Sequence, residues 1–112
     1  MQRPAPQLLL WLLGLLTAAT SVPAQGNEVA AGRQKAQMCV ACHGALGISS
    51  APDAPHLAGQ PPIYTAAQLR AYRSGARRHE VMAVIARPLT DDDISQLAAW
   101  YGSIKVEAQA PP

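Results

Sequence analysis

Phenylalanine is absent from these 112 residues, and cysteine occurs only twice. With no Phe, three tyrosines and two tryptophans, the chain has few large side chains to fill a core. A domain this small then needs some other apolar body or staple to hold together. Two cysteines make no disulfide framework. No second Cys-x-x-Cys and no His-x-His pair is present to complete a four-ligand zinc site. Strand-like alternation of useful length is missing too, and with it the βαβ surroundings that a dithiol motif of the thioredoxin type requires. No internal repeat is evident. Charge is also scarce: nine basic side chains face seven acidic ones. Setting Arg3 aside with the N-terminal segment leaves nothing that builds a basic field, so nucleic acid and anionic membrane are poor partners.

The N-terminus reads as a secretory signal over 1–24. Arg3 gives a thin positive start, Leu8 to Leu16 form an apolar core, and Val22-Pro23-Ala24 offers small residues for cleavage before Gln25. The apolar run is too short to span a bilayer comfortably. The polar Thr17 to Ser21 that follows argues against an uncleaved anchor. The expected product is a single exported domain, 25–112, without stable membrane insertion of the mature chain.

Cys39-Val40-Ala41-Cys42-His43 is the stretch the rest serves. Two thiols three residues apart and an adjoining imidazole read as a c-type haem attachment site. Each thiol can form a thioether to one vinyl group, and His43 then lies under the iron as proximal ligand. His43 would be idle in a dithiol site or a plain disulfide and alone in a zinc site, so haem attachment is the reading that uses all three residues.

Residues 27–38 read as a helix with Asn27 as a possible N-cap and Glu28 at the positive end of its dipole. Gly32 in its middle is costly unless another helix approaches closely, with Trp100 or Tyr101 filling the gap. From Gly44 to Pro62 the composition turns to Gly, Ser and Pro, and a loop that long suits wrapping a haem face. Pro55 there is either a rigid turn proline or the carbonyl that receives the other ring N–H of His43. Pro61-Pro62 begins a helix ending at Gly75. Arg70, Arg73 and Arg77 on its polar side are a solvated face, a docking stripe or a reach to a propionate. Thr90 with Asp91, Asp92 and Asp93 starts a last helix running to about Ser103, with Ile94, Leu97, Ala98 and Tyr101 on one face. Residues 105–112 are a polar, frayed tail.

A haem held by one His leaves an opposite face, which electron-transfer cytochromes close with a thioether. Of three methionines, Met1 leaves with the signal and Met38 is tied to the attachment side by Cys39. Met82 remains, with His79 and His56 as rival sixth ligands.

Taken together, Cys39 to Gly44, Pro55 to Gln60, Tyr64, Gln68-Leu69, Gly75-Ala76-Arg77, Met82, Leu89-Thr90 and Leu97 to Tyr101 resemble a bacterial class I cytochrome c. The type is the small soluble one that also forms each half of the two-haem cytochromes. Trp100 departs from the Tyr or Phe usual there. The resemblance implies an all-α fold with crossed first and last helices, one covalent haem c, and His43 and Met82 as axial ligands. It further implies a one-electron carrier and not an enzyme, in the periplasm, meeting transient redox protein partners, as a monomer or as a subunit of a redox complex. A haem subunit fixed in a dehydrogenase and an open-iron ligand sensor are the alternatives.

Overall fold

The computed structural model describes Met1 and residues 24–112. Of the expected signal, 2–23 lie outside the described residues. Those residues form five α-helices, and no strand occurs among them.

The first rod is continuous but not uniform. Helix α1, Ala24–Lys35, passes into a 3-10 turn, Ala36–Cys39, and then into α2, Val40–His43. Because α1 is already helical at Ala24, Asn27 lies inside it and is not its cap. The preference of Asn for cap positions is a weak prior that helical upstream backbone overrides. Gly44, at φ 80°, ends the rod and donates its N–H to Val40 O at 2.9 Å.

Helix α3, Pro62–Ser74, starts with Pro at its first position and ends on left-handed Gly75. Helix α4, Glu80–Ala86, is a short element that the mixed sequence of 79–87 does not announce. Helix α5, Asp91–Ser103, opens with a complete capping box. Thr90 Oγ1 accepts the Asp93 N–H at 3.1 Å while Asp93 Oδ2 accepts the Thr90 N–H at 2.9 Å.

The rod and α5 cross at Gly32. A methyl group there would overlap the Gln96 carbonyl and lie 2.9 Å from Trp100 Cβ, so only glycine admits this approach. Trp100 rather than Tyr101 borders the notch, and the Arg33 guanidinium stands 5.7 Å from its ring centroid. Lys35 Nζ pairs with Asp93 Oδ1 at 2.7 Å, joining the end of α1 to the start of α5.

Beneath the crossing lies the core of Ala36, Ala86, Leu89, Ile94, Leu97 and Tyr101. Burying each of its larger aliphatic side chains contributes about 1.5–3 kcal/mol. On the other flank, Arg73 donates to Leu89 O at 2.9 Å and to Asp91 Oδ1 at 2.7 Å, fastening α3 to the head of α5. Residues 105–112 follow without helix and are exposed.

Candidate functional site

The overwound turn and α2 carry the three motif residues on one short arc. Cys39 is half-buried and adjoins Tyr101, Cys42 is exposed, and His43 is buried. Burial chiefly, opposed in part by a hydrogen bond from Tyr101, pushes the Cys39 thiol above its ordinary value. A dithiol oxidoreductase needs the opposite, a thiol lowered toward thiolate. The two cysteines are not bridged.

His43 Nδ1 donates to the Pro55 carbonyl at 2.9 Å. A carbonyl only accepts, so Nδ1 carries a proton, and in the neutral ring the lone pair is on Nε2. That is the tautomer an iron ligand requires, held by the kind of second partner that ligating histidines have.

The loop between α2 and α3 is fastened to deliver that carbonyl. Gly47 O accepts from Leu57 N at 2.7 Å and from Ala58 N at 3.1 Å, bringing the two ends of the segment around Pro55 together. Gly47 has φ 73°, and a Cβ there would come within 2.8 Å of the Tyr101 ring, so both backbone and packing demand glycine. Ser49 donates through Oγ to Cys42 O at 2.8 Å, and its N–H donates to His56 Nδ1 at 2.9 Å. This Ser49 hinge has no periodic or motif signal in the sequence, and sequence reasoning missed it.

Met82 is half-buried on α4, one turn before the fully buried Ala86, so the two share the inward face. Val81 and Val84 point outward. The structure therefore joins His43 and Pro55 directly beside Cys39 and Cys42, while Met82 stands half-buried on a separate helix, on the side that carries buried Ala86. The rival ligands differ from His43 in that their Nδ1 atoms accept: His56 receives the Ser49 N–H, and His79 the Met82 N–H. Arg73 braces α3 against Asp91 and the Leu89 carbonyl, whereas Arg70 and Arg77 are exposed, with contacts to Asp91 and Gln68.

A covalent haem fits what is present. Two thiols three residues apart and a buried imidazole anchored through Nδ1 are the donors that attach haem c. Among the described residues no group of three or more His, Cys, Asp or Glu could hold a metal ion otherwise. Leu46, Ile48, Ile63, Tyr64, Val81 and Val84 are exposed apolar side chains, following the motif and along α3 and α4. That is much apolar surface for so small a domain to leave to water.

Comparison with known proteins agrees with this chemistry. Residues 29–105 match the family described as Cytochrome c. Cytochrome c-554(548) of Halomonas halodenitrificans is 42% identical over 80 residues, covering 69% of this chain and 96% of that protein. Cytochrome c4 of Pseudomonas aeruginosa is 39% identical over 99 residues, covering 88% of this chain and 46% of that protein. A thiosulfate dehydrogenase electron acceptor of Thiomonas intermedia is 40% identical over 84 residues, covering 74% of this chain and 39% of that protein. The chain thus spans nearly all of the first relative and less than half of the other two.

Proposed function

The chain belongs to the cytochrome c family, which carries electrons on covalent haem c, and from that premise we propose a periplasmic shuttle that passes single electrons between redox complexes or dehydrogenases. Haem supplies the one-electron couple, and the protein supplies its attachment, ligands and surroundings. In this reading Cys39 and Cys42 are the thioether anchors, His43 and Met82 the axial ligands, and Pro55 the residue that orients His43. Two strong ligands leave no position open for a substrate, and a sulfur ligand favours the ferrous state relative to a second histidine. Exposed Cys42, with Leu46 and Ile48 following it, offers a small, weakly charged patch for brief docking.

The observation that carries this reading is the His43 Nδ1 to Pro55 O bond beside two unbridged cysteines. The test is an optical spectrum of the exported protein, oxidised and reduced. A haem c spectrum is expected, with a weak red band in the oxidised form that Met82→Ala abolishes. A colourless, stably folded product would overturn the proposal. Carbon monoxide binding to the ferrous protein without displacement of a thioether would indicate the open-iron alternative.

A narrower reading, fixed attachment to a thiosulfate-oxidising dehydrogenase, starts from relatives in Thiomonas intermedia and Stutzerimonas stutzeri that are named thiosulfate dehydrogenase electron acceptor. It predicts that the purified protein is reduced by such an enzyme with thiosulfate and co-elutes with it. A shuttle is reduced but elutes alone.

A further inference from the structure

A connected set of contacts runs from α3 to the backbone of Met82. Gln68 Oε1 accepts from Arg77 Nη1 at 2.6 Å. The Arg77 guanidinium carbon stands 4.7 Å from the Tyr72 ring centroid. Tyr72 meets the His79 ring edge-on, with centroids 6.3 Å apart and planes at 76°. His79 in turn occupies the extended N-cap position of α4, at φ −162° and ψ 127°, and its Nδ1 accepts the Met82 N–H at 3.2 Å.

Histidine is not among the residue types favoured as N-caps, whose short side chains reach the third residue of the helix with little freedom to lose. A ring on a longer stem does the same work only if it is held, and the edge of Tyr72 holds it. Helix α4 has seven residues, too few for intrinsic stability, so its first turn depends on its cap and on packing. The residue whose N–H is capped is Met82, half-buried on the same side of α4 as buried Ala86.

We infer that His79 is a positioning residue for the sixth ligand: by capping α4 at Met82 it holds the turn that aims the thioether, with Tyr72 and Arg77 bracing the ring from behind. The inference rests on Met82 as the axial ligand. Losing the cap frays that turn first and leaves the core of Ile94, Leu97 and Tyr101 in place. The effect of removing His79 therefore falls on ligation before it falls on folding.

The experiment titrates the oxidised holoprotein with imidazole, a competitor for the place of Met82, and follows loss of the red thioether band. His79→Ala is expected to bind imidazole roughly fivefold more tightly than the natural protein, the change that loss of an ordinary N-cap produces. His79→Asn returns an acceptor to the cap and is expected to restore the affinity to within about twofold. An unchanged affinity in His79→Ala, or no rescue by His79→Asn, overturns the inference. If the natural protein itself lacks the red band, Met82 is not the ligand and both readings fall. If the band is present and His79→Ala leaves imidazole binding unaltered, only the role of His79 falls.

Discussion

The imidazole of His43 points its Nδ1–H at the carbonyl oxygen of Pro55 across 2.9 Å, and the Gly47 and Ser49 bonds fold the loop that carries Pro55 back toward the motif. The bond pushes electron density toward the opposite nitrogen, which favours the ferric state of an iron bound there. Pro55→Ala keeps the carbonyl but releases the fixed φ that aims it. The midpoint potential is expected to rise by the equivalent of about 0.5–1.5 kcal/mol, the net value of one hydrogen bond. Redox titration of the holoprotein reads this directly, and a fall in potential would contradict it.

Gly32 and Gly26 make a matched pair on one helix. Gly32→Ala drives a methyl group into the Gln96 backbone, and overpacking of that kind costs about 1–3 kcal/mol. A Cβ at Gly26 meets nothing within 4 Å, so Gly26→Ala is expected to be neutral or to stabilise by about 0.5–1 kcal/mol through helix propensity. Denaturant midpoints of the two holoprotein variants should move in opposite directions or, at the least, differ by more than the Gly26 change alone.

Asp93 is held at about 2, first by Lys35 and next by the Thr90 backbone N–H. An unfolded aspartate titrates near 3.9, so the folded value is depressed. The stability it contributes is present above about pH 4 and is lost as pH falls toward 2. Its partner Lys35 is 38% exposed, which screens the ion pair to at most about 1 kcal/mol. Asp93→Ala, which also removes half of the capping box, is expected to cost about 1 kcal/mol at pH 7. The difference should shrink at pH 2, as urea unfolding at the two pH values would reveal.

Arg73 satisfies the carbonyl of buried Leu89 and the carboxylate of Asp91 together. Asp91 is lowered chiefly by that same guanidinium. Arg73→Ala leaves the Leu89 carbonyl without this donor and is expected to destabilise by about 1–3 kcal/mol. Arg70→Ala removes only a 3.6 Å contact between exposed groups, and its unfolding midpoint should scarcely change. If electron transfer rates to a partner fell in both variants while stability held, the stripe would be a docking surface after all.

Much of this arrangement could be read from residue types alone. The haem motif, the Gly32 notch, the Gly75 stop and the box at Thr90 each tie a special residue to a local geometry that few others can adopt. Asn27 misled because its cap preference is weak and the chain is already helical before it. Helix α4 stayed hidden because its cap is a histidine, which carries no start signal, and its seven residues are too short for a period. The Ser49 to His56 contact and the double acceptance at Gly47 depend on backbone folding within a Gly/Pro-rich loop, where no repeat reports which groups will meet. Arg73 could be placed on a polar face, but its clasp on Leu89 required α3 and α5 to be docked first.

The 3-10 turn at Ala36–Cys39 has a consequence for how the chain tolerates change in length. A 3-10 residue advances about 120° around the axis and an α residue about 100°. The overwound segment therefore sets the angular phase between the notch at Gly32 and the thiols beyond it. Adding or deleting one residue between them would swing the attachment motif by about a third of a revolution. Natural variation in this stretch should therefore run to exchange of one side chain for another and spare the residue count.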